Sequence, residues 1–157
     1  MATFTNKQFE KVKTDNEDLY HSIGEVYCPY FQSKIVFNAK GLEHLKFKKR
    51  NHARLQEDQY MRLSLLSLAP KVLGLSRTVQ GISKRSVFEL NRSNHRNESI
   101  SVLATYYEFI AVVENTRVRV IVKEVGTAPR YFWSIIPNWK IGGDGKRKIH
   151  NGNPEED

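Results

Sequence analysis

The chain has 157 residues, with 25 Lys and Arg against 17 Asp and Glu, a formal net charge of +8 and a pI near 9.6. That length fits one domain around one core. The charge favours a polyanionic partner, of which nucleic acid is the commonest, although many small basic proteins bind none. A single cysteine, Cys28, excludes an internal disulfide and a Cys-based zinc site and fits a reducing compartment.

No window approaches the roughly 20 apolar residues of a membrane span. The first twenty residues lack the apolar run of a secretory signal. A cytoplasmic protein with no membrane partner is therefore expected.

In chain order, residues 5–23 read as a helix, with Thr5 as its cap and Phe9, Val12, Leu19 and Ile23 roughly on one side. Gly24 marks a break. Residues 25–28 and 34–37 are short and β-prone, and Pro29 between them suggests a turn or small hairpin. Asn38 reads as the N-cap of a helix beginning AKGLEHLKF.

A second helical stretch is expected from about Ala53 to Leu68, stopped by Pro70, which opens one short turn through Val72 and Leu73. Residues 78–82 and 86–90 read as weak strands, and 91–99, NRSNHRNES, as a mobile loop. Residues 100–113 are strongly β-prone, Glu114 to Thr116 make a tight turn, and 117–125 alternate cleanly. There Val118, Val120 and Val122 face the helices, and Arg117, Arg119 and Lys123 face solvent or a ligand. A last strand, RYFWSIIP, precedes a polar tail.

The order of elements predicts an α+β fold: N-terminal helices followed by a four-stranded antiparallel meander, with helices on one face. Residues 1–140 form the single domain, 1–24 its N-terminal helix, and 141–157 a flexible tail too polar to order itself alone.

The stretch 40–54, KGLEHLKFKKRNHAR, carries the chemistry. Six cations stand against the carboxylate of Glu43, a local charge of about +5 before His44 or His52 protonates. On one continuous helix His44, Lys48 and His52 fall at i, i+4 and i+8, along one side. If the helix breaks near Lys49, they line a helix end and its loop instead.

Metal-free RNA cleavage needs a base for the ribose 2′-hydroxyl, a cation for the phosphoryl oxygens and an acid for the departing 5′-oxygen. Histidine supplies acid or base. Lysine and arginine supply the electrostatics, and a hydroxyl such as Ser134 holds the phosphate without adding charge.

His44, His52, Ser134 and Lys48 are therefore the candidate catalytic residues. Lys46, Lys49, Arg50, Arg117, Arg119 and Lys123 are candidates for substrate binding. Each has a plainer alternative: a solvated histidine, a soluble helix or sheet face, a small residue between bulky neighbours. The eight-residue spacing of the histidines does not suit a helical metal pair, and no acidic cluster suggests a two-metal site. No metal or other cofactor is expected.

The run His44-Leu-Lys-Phe-Lys-Lys-Arg-Asn-His52, the leucine-rich helix, Leu68-Ala-Pro-Lys-Val-Leu73 and Tyr131-Phe-Trp-Ser134-Ile-Ile-Pro137 resemble phage-associated members of the barnase–EndoU–colicin–RelE superfamily. The resemblance covers about residues 34–137. It implies helices before a four-stranded antiparallel sheet and metal-independent endoribonuclease activity of the toxin or mobile-element effector type. It also implies catalytic roles for His44 and His52, a role for the Ser134 hydroxyl, and assistance from Arg119 and Lys123. RNA is then the expected substrate, and an acidic antitoxin or inhibitor an expected partner. The alternatives are a basic module that binds nucleic acid without cutting it and a basic protein whose main partner is an acidic antitoxin or inhibitor.

Overall fold

The computed structural model describes residues 4–49, 51–93, 96–138 and 153–157. Its first helix, α1 (Asn6–Ile23), starts where Thr5 and Gln8 satisfy each other. The Thr5 hydroxyl accepts from the Gln8 amide at 3.1 Å, and the Gln8 side chain accepts from the Thr5 amide at 2.9 Å, a capping box. The helix ends at Gly24, whose φ of +67° L side chains resist. Strands β1 (Glu25–Cys28) and β2 (Ser33–Val36) form an antiparallel pair.

Helix α2 (Ala39–Lys46) is capped by the Asn38 side chain, which accepts from the Gly41 amide at 3.3 Å. It buries Gly41, Leu42, His44 and Leu45, one stripe at helical spacing. The helix ends before Phe47, so Lys48 and His52 do not continue its face. They lie instead on a two-stranded sheet of β3 (Phe47–Lys49) and β4 (His52–Ala53).

The expected long second helix is two: α3 (Gln56–Leu65) and α4 (Leu68–Leu75). Pro70 does not stop a helix. It is the third residue of α4, where a missing N–H falls in the first turn and breaks no intrahelical bond.

Strand β5 (Gly81–Ser93) pairs along its whole length with residues 96–108 of β6 (Arg96–Val113). The two weak strands are thus one. The expected loop at 91–99 is strand on both sides of residues 94 and 95, which lie outside the described residues. Continuous backbone pairing between the two strands overrides the polar composition. Glu114 and Asn115, at φ of +51° and +63°, make the two-residue turn into β7 (Thr116–Val125), the left-handed pair whose twist suits a hairpin. Strand β8 (Tyr131–Pro137) follows.

The fold is α+β, with four helices and a mostly antiparallel sheet among the described residues. The sheet has six strands in the order β1-β2-β8-β7-β6-β5, not four. The β1–β2 hairpin accounts for the difference, joining β8 in parallel at Val36 and Tyr131. No helix is long and apolar enough to cross a membrane among the described residues.

The main core lies between the helices and one sheet face. Val118, Val120 and Val122 pack there with Phe109, Phe132, Ile135, Leu45, Leu63 and Leu73. A smaller cluster of Val87, Ala104, Tyr106 and Ile121 lies on the other side, with Trp133 against it.

Gly41 sets how closely α2 approaches the sheet. A Cβ there would collide with the Phe132 main-chain oxygen and the Tyr20 hydroxyl. That hydroxyl donates to the Asn38 carbonyl at 2.5 Å and fastens α1 to the start of α2. The same contact carries His44, one turn further on, to the edge of β8.

A candidate anion-binding cleft

Between β7 and β8 the register slips by one residue. Ile121 pairs with Ser134 and Val122 with Phe132, so Trp133 is the extra residue of a bulge. The slip lets Phe132 and Ile135 both reach the main core. It leaves Trp133 and Ser134 together on the opposite side, with Arg119, Ile121 and Lys123 of β7.

Trp133 forms the floor. The His44 imidazole stacks on it with ring centroids 3.9 Å apart and planes at 19°. Lys123 Nζ lies 4.1 Å from the centroid of the same indole. Two groups cannot share one face at those distances, so the indole is held between imidazole and ammonium, with a cation–π attraction on the lysine side.

Two buried arginines close the wall. Arg54 Nε donates to the His44 carbonyl at 2.8 Å, and its Nη2 lies 3.1 Å from His44 Nε2. A guanidinium only donates, so Nε2 is the acceptor and the imidazole proton sits on Nδ1. Arg62, four residues beyond Asp58 on α3, donates from Nη1 to the Ser134 hydroxyl at 2.7 Å. Asp58 joins the two guanidinium groups, accepting from Arg62 Nε at 2.7 Å and from Arg54 Nη1 at 3.3 Å.

This crowding sets the protonation states. Burial first, and then the charges of Arg54, Arg62 and Lys123, hold the His44 imidazole well below the usual histidine range; a hydrogen bond with the Asp157 main chain opposes them. Burial and the neighbouring Arg62 charge bring Arg54 down to about 10, against the pull of Asp58. Burial likewise lowers Arg62. His44 is neutral at pH 7, and both arginines remain cations.

The space in front of these groups is filled by the chain's own residues Asn153–Asp157. Arg62 Nη1 and the Ser134 hydroxyl, the latter at 2.7 Å, both donate to the Asp157 main-chain oxygen. The Asp157 carboxylate lies 4.0 Å from Arg119 Nη1. Glu155 pairs with Lys123 at 3.0 Å, and Glu156 with Lys48 at 3.7 Å and Lys49 at 3.5 Å. Arg54 Nη2 donates to the Glu156 carbonyl at 2.9 Å, and Trp133 Nε1 to the Pro154 carbonyl at 3.0 Å.

The expected site residues therefore divide. His44, Ser134, Arg119 and Lys123 meet in the cleft, and Lys48 and Lys49 reach it through Glu156. His52 is exposed on β4, opposite Lys49 in the strand pair and outside this set of contacts. Lys46 turns away to Glu17 of α1 at 3.7 Å. Arg117 is exposed on β7, and Arg50 lies outside the described residues. The tail expected to be flexible is seated at 153–157, and its residues 141–152 lie outside the described ones.

Arg54 and Arg62 are the cleft residues that sequence reasoning passed over, together with Trp133 as a floor rather than a core ring. One signal was present: Arg54, Asp58 and Arg62 recur at i, i+4 and i+8, the spacing at which one carboxylate can hold two guanidinium groups. Among the described residues no group of three His, Cys, Asp or Glu side chains could hold a metal ion. The chain matches no family model, no curated protein and no solved structure.

Proposed function

We propose that the cleft takes a phosphodiester of RNA and cleaves it without a metal, by attack of the neighbouring 2′-hydroxyl. The observation that carries the reading is the convergence of Arg62, Ser134 and His44 on one main-chain oxygen, that of Asp157, with Lys123 and Arg119 binding the acidic side chains beside it. A phosphoryl oxygen in that place would receive the same two donors. Buried arginine suits it better than lysine, because the planar fork presents paired N–H groups.

His44, neutral at pH 7 with its proton on Nδ1, takes the 2′-hydroxyl proton at Nε2 once Arg54 Nη2 has turned from that nitrogen to the phosphate. The 2′-oxygen then bonds to phosphorus and the bond to the 5′-oxygen breaks, leaving a 2′,3′-cyclic phosphate. Arg54, Arg62 and Lys123 stabilise the added negative charge, and Ser134 orients the phosphoryl group. The departing oxygen needs a proton, which we assign to His52. That imidazole stands across the β3–β4 pair from Lys49, whose ammonium reaches the cleft's acidic occupant. The barnase–EndoU–colicin–RelE resemblance of the sequence agrees with this reading.

Incubating the protein with RNA in EDTA tests it. Cleavage with cyclic phosphate ends, and none of a DNA analogue, is expected; cleavage that appears only on adding metal would rule the mechanism out.

A second reading has its own support. His52 is exposed, and His44 Nε2 is engaged by Arg54, as in a cleft that grips a phosphate backbone without cutting it. Binding with no product after prolonged incubation would select that reading.

A further inference from the structure

We infer that residues Asn153–Asp157 act as a built-in competitor for the cleft, a seated acidic segment that an anionic ligand must displace. The proposal rests on the cleft being a polyanion site, and the experiment below separates the two ideas.

The segment makes its own compact shape. The Asn153 carbonyl accepts from the Glu156 amide at 3.0 Å and the Asp157 amide at 2.8 Å, and the Asn153 side chain accepts from the Glu155 amide at 3.1 Å. This turn fans three successive acidic residues onto separate cations: Glu155 to Lys123, Glu156 to Lys48 and Lys49, and Asp157 to Arg119. Its main-chain oxygens at 154, 156 and 157 take the N–H groups of Trp133, Arg54 and Arg62.

Almost every group assigned to phosphate binding is thus occupied at once by a ligand of like charge. The hydrogen bonds and ion pairs dominate; Pro154 and Asp157 are buried, while the Glu155 and Glu156 side chains stay 35% and 22% exposed. Attraction of that kind is weakened by salt and by a rival anion. A segment held by apolar packing would not yield in this way.

The affinity of the cleft for any polyanion is then lowered by the fraction of time it stands open. A segment seated nine-tenths of the time raises the apparent Kd about tenfold.

The test compares the unsubstituted protein with its E155Q/E156Q/D157N variant. Each is titrated with an RNA oligomer 2′-O-methylated throughout, which cannot be cleaved by its own 2′-hydroxyl, and separately with inorganic polyphosphate. Backbone amide resonances of residues 155–157 are followed throughout. Dispersed resonances in the free chain that collapse to random-coil positions as polyanion is added, with about tenfold tighter binding by the variant, are expected. Random-coil resonances in the free chain, or equal or weaker binding by the variant, would overturn the competitor role. If polyphosphate behaves as expected and RNA binds neither protein, the competitor stands and the RNA reading falls.

Discussion

Arg62 and Ser134 are 72 positions apart in the chain and 2.7 Å apart in the fold, the guanidinium of α3 donating to the hydroxyl of β8. Both groups are buried, so neither can turn to water if the other is lost. Removing Arg62 as R62A leaves Asp58 short of its closer partner and Ser134 without its donor. Truncating one member of a buried ion pair costs about 3–5 kcal/mol, and the part exposure of Asp58 brings the expectation down to about 2–3 kcal/mol. S134A should cost about 1–2 kcal/mol, the penalty of an unmet buried group. The double variant should fall short of the sum by about 1 kcal/mol, because one bond is counted in both. Urea unfolding of the four proteins measures this; strict additivity would mean that the bond contributes nothing.

Gly41 governs whether the cleft forms at all. Alanine is the better helix former by about 1 kcal/mol, yet its Cβ would meet the Phe132 backbone oxygen and the Tyr20 hydroxyl. The hydroxyl could rotate aside, but the backbone oxygen belongs to the bulged central part of β8 and cannot. G41A should therefore lose about 1–3 kcal/mol, the usual range for overpacking. The helix should also lift away from β8, taking the His44 ring off Trp133. Unfolding and the near-ultraviolet circular dichroism of the stacked indole report the two effects. An unchanged variant would show that α2 does not sit flush on the strand.

Much of this architecture could be read from residue patterns. The Thr5 cap, the break at Gly24, the Asn38 cap and the valine alternation of β7 are local features, each decided within a few residues, and each lies where the sequence predicts. What escaped depends on distant partners. The polar run at 91–93 and 96–99 is strand because a neighbouring strand is there to pair with. The side of the sheet reached by Trp133 and Ser134 depends on a one-residue bulge that alternation cannot reveal. His44 and Ser134 were legible as cleft candidates because their residue types are suggestive, and the fold brings both to the cleft. Arg62 was not, because a charged residue on a helix otherwise reads as solvated until its burial is known. Lys48 and His52 were grouped with His44 by a helical period that ends at Lys46.

The two histidines are expected to fail differently. Loss of a general base or acid costs about 10²–10⁴-fold in rate, so H44A and H52A should both be slow on ordinary RNA. A substrate whose 5′-leaving group is a nitrophenolate departs without a proton. On that substrate H52A should regain most of the activity of the unsubstituted protein, while H44A stays slow. Equal recovery or equal failure of the two would remove the acid assignment from His52. An H52A protein with full activity on RNA would show that the proton comes from elsewhere.

Stability should depend on pH through His44. In the unfolded chain its imidazole titrates near the ordinary value of about 6.5; in the folded protein burial and the charges of Arg54, Arg62 and Lys123 hold it well lower. Above pH 7 both states are neutral there, and the group contributes no slope. As pH falls below about 6.5 the unfolded chain takes up a proton that the folded one refuses, so folding weakens by up to about 1.4 kcal/mol per pH unit until the folded value is reached. H44Q removes the titrating group and should flatten the profile between about pH 6.5 and pH 5, above the range in which ordinary carboxylates begin to protonate. Chemical denaturation at several pH values measures both slopes. A folded protein that becomes more stable as pH drops through that window would mean that His44 is charged in its place against Trp133, with the Asp157 oxygen outweighing three cations.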